Sequence, residues 1–433
     1  MNQSLFLEFV QSWFPKLSNI VSKVNDKRKG TLTYLHKTML RNEYSVDQKW
    51  ESASVNTTYV AADVVSMDSE LPLKRRDSLA AANGKLPKVG MKKRLGEEDI
   101  NNINLMKAKG TAFAQVVAKM TNDAVSCVTG IDERNEAIFL TGLSEGITLV
   151  EDEDNVGVGI RVNYKYLDAN KYGVAVKWGE AGFTPVSDIA HVLGKISDDQ
   201  NDCTVIALSL AQYNLMRRSD EGRQLAANYA SQVVLENSVL PVPTPSKFDE
   251  AFAAEYGGVK FLKINRTVTI EKDGKRKKIR PWNDNKIIFL PSEEVGALVY
   301  GTLAEETNPV TGVMYTKANE YVLVSKYSKN DPLQEYTSSQ ALCLPVIEGV
   351  DEIYQMDVTE AQAVDPTKEA LDADDTKVSV WDETYTKAEV IAALNEMGYK
   401  TSALIGDAKL IARINELSDE EEAKLKESLT PVS

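Results

Sequence analysis

Histidine and cysteine are scarce: the 433 residues hold two histidines, His36 and His191, and three cysteines, Cys127, Cys203 and Cys343. Acid–base chemistry near neutral pH most often runs through imidazole, so an enzyme starts disfavoured. Cysteines this far apart give neither a disulfide framework nor a zinc site with paired ligand spacing, and they suit a reducing compartment. No stretch approaches the ~18 uninterrupted apolar residues of a membrane span, so no membrane partner is expected. Residues 1–14 lack the basic start and small-residue cleavage site of a secretory signal. Positive charge is also short, with 50 Lys and Arg against 64 Asp and Glu and a net charge of −14. That balance argues against a dedicated DNA-binding protein, whose affinity comes from neutralising phosphates.

The acid is unevenly placed. Asp351–Ser433 carries 20 acidic and 8 basic residues, a net of −12, which leaves the preceding body nearly neutral. At the other end, Phe6, Phe9, Trp13, Leu17, Ile20 and Val24 recur at helical spacing, with a bend expected near Pro15. This amphipathic helix either docks on the body or serves as a partner-binding arm.

A β-rich stretch at Tyr59–Ser69 leads through Leu71-Pro72-Leu73 to Lys74-Arg75-Arg76, and beyond Asn83-Gly84 the chain runs from Lys85 to Lys92-Lys93-Arg94. Asn-Gly is a turn dipeptide, so the pattern predicts a hairpin turning there. Arms of ~15 residues at about 3.3 Å each would reach on the order of 50 Å, too far to pack on their own domain. The segment from Lys74 to Arg94 holds eight basic residues and one acid. It is either a solvated basic face or an arm laid on an acidic neighbour.

Glu97-Glu98-Asp99 marks a helix start, and apolar residues from Ile100 to Leu143 keep helical spacing almost to Gly146. One long helix is plausible, unless Gly110 or Gly130 breaks it. Strand patterns follow at 147–150, 159–164 and 172–178, then helix, buried strand and helix across 188–230. Lys272-Asp273-Gly274 signals a tight hairpin between Thr267–Ile270 and Lys277–Arg280, and further strands fall at 286–290, 320–325 and 342–347. The body is therefore α+β. Val358–Thr376 reads as a polar, acidic linker. Two capping boxes, Thr386/Glu389 and Ser418/Glu421, then frame a small helix–extended–helix module.

Chemical motifs fail where they can be tested. Gly142-Leu143-Ser144-Glu145-Gly146 matches the nucleophile-elbow pattern, but the order here is helix then strand, the reverse of what the elbow needs. Gly157 and Gly159 lack the third glycine and following helix of a dinucleotide site, and Glu151–Asp154 does not satisfy a calcium loop. No phosphate-binding loop is present. No catalytic residue, cofactor or metal is expected.

A reaching hairpin, a spine helix and no active site describe a shell-forming subunit. The chain resembles the major capsid proteins of tailed phages, the lambda-type capsid protein E family with the Hong Kong 97-type fold. The resemblance lies in Tyr59–Arg76, the spine ending in Leu143-Ser144-Glu145-Gly146, Trp282–Pro291 with Gly296, and Leu344-Pro345-Val346-Ile347, and it covers roughly 55–358. It implies an N-terminal arm at 1–58, an extended loop at 59–97, and a peripheral domain with spine helix at 98–187 and 341–357. It further implies an axial domain at 188–340, followed by the linker at 358–376 and the module at 377–433. The implied function is self-assembly into hexamers and pentamers of an icosahedral head around double-stranded DNA, assembled in the host cytoplasm and carried in the virion. Portal and possible scaffold or decoration proteins would be the other partners. Lys74, Arg75, Arg76, Lys92, Lys93 and Arg94 are the expected subunit contacts. The alternatives are a cellular encapsulating shell of the same fold and a serine hydrolase at Ser144.

Overall fold

The computed structural model describes residues 3–27, 34–55, 79–108, 113–150, 159–230, 240–361, 377–381 and 383–386, with single positions beyond, between 390 and 429. It divides into two units, Met1–Ala361 and Gln362–Ser433.

The first unit opens with helices α1 (Leu7–Trp13), α2 (Leu17–Lys27) and α3 (His36–Met39). Strands β1 (Leu40–Tyr44), β2 (Lys49–Val55), β3 (Leu79–Lys85) and β4 (Lys88–Leu95) lead to α4 (Glu97–Ala108) and the 33-residue α5 (Phe113–Glu145). Next come β5 (Ile147–Val150), β6 (Ile160–Asn163), β7 (Lys171–Val174) and α6 (Pro185–Asp198). Then follow β8 (Val205–Ser209), α7 (Leu210–Arg218), α8 (Asp220–Tyr229), α9 (Pro245–Glu255) and β9 (Lys260–Ile264). The unit closes with β10 (Val268–Lys272), β11 (Lys275–Ile279), β12 (Lys286–Leu290), β13 (Gly296–Gly301), α10 (Ala304–Thr307), β14 (Met314–Ala318), β15 (Val322–Lys329), β16 (Gln334–Ile347) and β17 (Tyr354–Ala361).

These strands form two main sheets. One runs β1–β13–β16–β15–β14 with β4 also paired to β16, and the other runs β7–β17–β12–β8–β9. The fold is α+β. In the first sheet α5 supplies the cover: Ala124, Val128, Ile131, Ile138, Phe139 and Leu143 are buried at helical spacing, in one core with Ala341, Leu344, Val346 and Ile347 of β16. Gly130 does not break this helix. The second sheet has a separate core, built from Ile189, Val192 and Ile196 of α6, Ile206 and Leu208 of β8, and Phe248 and Phe252 of α9. Its helices start where polar caps stand: Ser209, Ser219 and Thr244 accept from the backbone N–H groups of Gln212, Gly222 and Lys247.

The N-terminal helices dock on the body. Pro15 separates α1 from α2 through a short turn, and Phe6, Val10, Trp13, Phe14, Leu17 and Val21 are buried in the core shared with α5.

Three expectations need correction. Asn83-Gly84 is not a turn: β3 pairs antiparallel with β2 and sets Gly84 opposite Trp50. Any side chain at 84 would meet the indole, with a Cβ only 2.8 Å from Nε1, so this glycine serves close packing instead of reversal. Residues 88–95 accordingly form no arm of that hairpin; as β4 they pair with residues 335–342 of β16. Residues 56–78 lie outside the described residues.

The division at 188 and 340 also fails. Strands β13, β14, β15 and the first half of β16 belong to the sheet that packs on α5, while β7 and β17 belong to the other. Strands β12 and β13 are both almost wholly buried apolar runs, and such runs say that a strand is inside, not which sheet it joins. Finally, the linker starts later than Val358. That residue is buried in β17, where its N–H donates to the Asn285 carbonyl and its own carbonyl accepts from Trp178.

In the second unit, β18 (Lys377–Val380) and β19 (Glu383–Thr386) form an antiparallel hairpin that the helical reading did not contain. Tyr385, Val390, Leu394, Leu410, Ile414 and Leu425 are buried together, and the Lys426 ammonium sits 4.7 Å from the Trp381 ring centre.

Candidate subunit interface

Strand β4 carries three of the six cations singled out in the sequence. It has one paired edge, on β16, and no second partner strand among the described residues. A lysine-rich free edge discourages indiscriminate strand addition while leaving charge available to a chosen partner. Alternation splits its side chains between two directions. Lys93 turns toward α5 and lies 3.5 Å from Asp123, so its charge is answered within the chain. Lys92 lies 5.6 Å from the Tyr336 ring centre, Lys88 is 3.1 Å from Glu305, and Arg94 is exposed. Lys74, Arg75 and Arg76 lie outside the described residues.

The β2–β3 ribbon precedes this strand in the chain and is bonded to β16. Its root is fixed: Trp50, Ala82 and Leu86 are buried, and the buried Ser52 hydroxyl donates to the Ile347 carbonyl at 2.7 Å. Residues 56–78 are thus carried on a ribbon bonded to the end of β16.

Two charged clasps, unseen in the sequence, hold other segments to the same scaffold. Residues 34–37 are gripped by acids on one face of α5. Glu136, fully buried, accepts from the N–H groups of Leu35 (2.9 Å) and His36 (3.0 Å) and meets His36 Nδ1 at 2.6 Å. Lys37 is 2.7 Å from the buried Asp132, and Glu133 accepts from Tyr34 (2.9 Å) and Arg266 (2.7 Å). The signal available in sequence was Asp132-Glu133 with Glu136 one helical turn on, three acids inside an otherwise apolar helix face. In the second clasp the buried Glu335 accepts from the Ser4 hydroxyl and from the Leu5 N–H at 3.0 Å, with Lys326 Nζ 3.6 Å away. Burial holds the Lys326 ammonium below the ordinary lysine value, with Glu335 opposing the shift.

Ser144 is not a nucleophile at an exposed turn. It is fully buried near the end of α5, its hydroxyl donating to the Thr141 carbonyl at 3.3 Å and accepting from the Asn283 N–H at 3.2 Å. The histidines are engaged elsewhere, His36 with Glu136 and His191 edge-on to Tyr172. The hydrolase alternative therefore fails on geometry. A shallow cavity of about 280 Å³, lined by Lys37, Asn42, Leu298, Asn319, Glu320 and Tyr321, holds no nucleophile paired with a base. Among the described residues no three His, Cys, Asp or Glu side chains gather as metal ligands, and no helix is long and apolar enough to cross a membrane.

Cys127 and Cys343 are buried and Cys203 is half-buried. Burial pushes Cys127 up to about 11 and Cys203 and Cys343 up to about 12. Because the thiolate is the reactive form, alkylation of the folded chain at pH 8 should run about 100-fold or more slower than that of an ordinary cysteine. Thiol titration should count almost none before denaturation and all three after it; rapid labelling of Cys343 in the folded chain would contradict this packing.

No family model matches the chain, and no curated protein matches it. Solved structures do align. An E. coli CFT073 prophage protein described as a capsid protein is 13% identical, with 76% of this chain and 93% of that chain covered at a TM-score of 0.46. The capsid of cyanophage A-1(L) is also 13% identical, covering 75% and 91% at a TM-score of 0.41. An encapsulin from Synechococcus elongatus PCC 7942 is 11% identical, covering 77% and 92% at 0.35.

Proposed function

We propose that this chain is the major capsid protein of a tailed phage, a structural subunit whose copies assemble into the hexamers and pentamers of an icosahedral head. The observation that carries the reading is the β2–β3 ribbon, rooted on β16 beneath the long helix α5, which bears the 56–78 segment where the capsid-like sequence Tyr59–Arg76 falls. In this reading the six-stranded sheet with α5 is the peripheral part, and the five-stranded sheet with α6–α9 is the axial part that meets its copies around the symmetry axes. Repetition supplies the strength. Each contact of standard size buries on the order of 1,600 Å², and heterologous contacts that close into a shell convert modest single affinities into a stable particle.

Chemistry at a bound substrate has no place in this account; the work is shape and charge. Arg75 and Arg76, with Lys74, Lys92 and Arg94, meet acidic groups of the adjacent subunit. Lys93 contributes less there, because Asp123 of its own chain already answers it at 3.5 Å. The phage head reading is preferred to a cellular shell on the capsid-like segments of the sequence. The packaged double-stranded DNA, a portal and any scaffold or decoration protein are the further partners.

Charge reversal tests the arm. Arg75→Glu with Arg76→Glu should leave the unassembled chain folded, with unchanged circular dichroism, yet shift it in sedimentation from large particles to free subunits. Particles formed as readily as by the unaltered chain would remove the basic arm from the assembly mechanism.

A further inference from the structure

Outside the arm, the densest positive charge lies on the two-stranded ribbon β10–β11. Val268–Arg280 holds six cations, Lys272, Lys275, Arg276, Lys277, Lys278 and Arg280, against two acids, Glu271 and Asp273, in a chain of net charge −14. The ribbon is well defined: Asp273 (φ 50°) and Gly274 (φ 76°) make the tight turn, and five residue pairs hold the strands in register from Val268–Ile279 to Lys272–Lys275. Val268 and Ile270 are buried on the inner face and anchor it, while Lys275, Arg276, Lys277 and Lys278 are exposed.

We propose that the β10–β11 ribbon is a sequence-independent contact for the phosphate backbone of double-stranded DNA. The proposal deepens the capsid reading, on which it rests for the presence of that DNA.

The make-up of the exposed face favours phosphate over an acidic protein surface. Protein interfaces are centred on apolar and aromatic anchors, whereas the exposed face of this ribbon offers cations and no apolar side chain. Phosphate contacts need only cations that can be approached. Base readout is absent by the same inspection. Asn, Gln and aromatic residues do not occur between Val268 and Arg280. The two arginines able to fork onto a guanine edge are each held by an acid, Arg276 by Glu271 at 2.7 Å and Arg280 by Asp284 at 3.2 Å. A few exposed lysines on a net acidic subunit give a weak contact that salt loosens, which suits DNA that must move during loading and release.

The test is fluorescence anisotropy of an end-labelled DNA duplex with the full-length, unassembled chain over a salt series. It compares the unaltered protein, the ribbon variant Lys275→Gln/Lys277→Gln/Lys278→Gln, and the control Lys177→Gln/Lys247→Gln, two exposed lysines outside both the ribbon and β4. Circular dichroism confirms that each is folded, and electron microscopy scores assembly separately. The ribbon variant should bind about tenfold or more weakly at low salt, and its log–log salt slope should be shallower by about 2–3, near 0.9 per lost contact. The control should bind like the unaltered chain. Equal binding and slope for the ribbon variant would overturn the proposal, as would absence of binding by the unaltered chain. Unchanged DNA binding with failed assembly would also overturn it and make the ribbon a contact between protein subunits. Failure of the unaltered chain to assemble, with ribbon-dependent DNA binding intact, would strike the capsid reading and not the ribbon.

Discussion

Gly296→Val should leave the chain unable to complete its main sheet. Gly296 sits between two strands at once, opposite Leu40 of β1 and Ile347 of β16. Its φ is +154°, and a Cβ there would lie 2.1 Å from the Val346 carbonyl oxygen, a backbone atom that cannot move without breaking the pairing. A β-branched side chain adds steric demand at a conformation only glycine adopts freely. The expected cost exceeds about 4 kcal/mol, the range reserved for broken backbone geometry, and would appear as insoluble protein or a collapsed denaturation midpoint. Gly301→Ala on the same strand is the control. Its Cβ would meet the flexible Leu342 side chain at 3.1 Å, so the cost should stay near the roughly 1–3 kcal/mol of ordinary overpacking. Equal midpoints for Gly296→Val and the unaltered chain would refute the register of β13.

Glu136→Ala should be nearly as damaging for a different reason. The carboxylate accepts from two backbone N–H groups and the His36 ring, all three part of the segment that places β1 at the sheet edge. Removing it strands those donors in a dry site; the unsatisfied group, more than the lost attraction, sets the penalty. The loss should reach about 3–5 kcal/mol, the cost of breaking a buried, hydrogen-bonded polar pair. Chemical denaturation of the unassembled chain, followed by tryptophan fluorescence, measures it. Exposed Glu43, paired with Arg41 across 3.1 Å of solvent-facing surface, gives the contrast. Glu43→Ala should cost no more than about 1 kcal/mol. Similar small losses for both would mean that residues 34–37 are not held by α5.

Much of this architecture could be read from local pattern. The periodic apolar face of α5, the break at Pro15 and the Asp273-Gly274 hairpin each depend on residues within a few positions of one another. What the sequence hid was pairing at a distance. Nothing local in Lys88–Leu95 says that its partner is β16, roughly 250 residues on, and Asn83-Gly84 looks like a turn until Trp50 is seen against it. The two sheets were misdivided for the same reason. The α5 acids were harder still: Asp132, Glu133 and Glu136 interrupt an apolar helix face, but only the fold shows that Asp132 and Glu136 are fully buried under residues 34–37. Among the six cations expected at a subunit contact, alternation along β4 turns Lys93 back toward its own chain, a distinction that depends on which edge of the strand is paired.

Self-assembly is the central claim, and electron microscopy of the purified full-length chain, read beside its sedimentation profile, tests it most directly. The account predicts rings, closed shells or tubes built from five- and six-fold clusters of one subunit. A uniform population of monomers at every concentration and salt would contradict it.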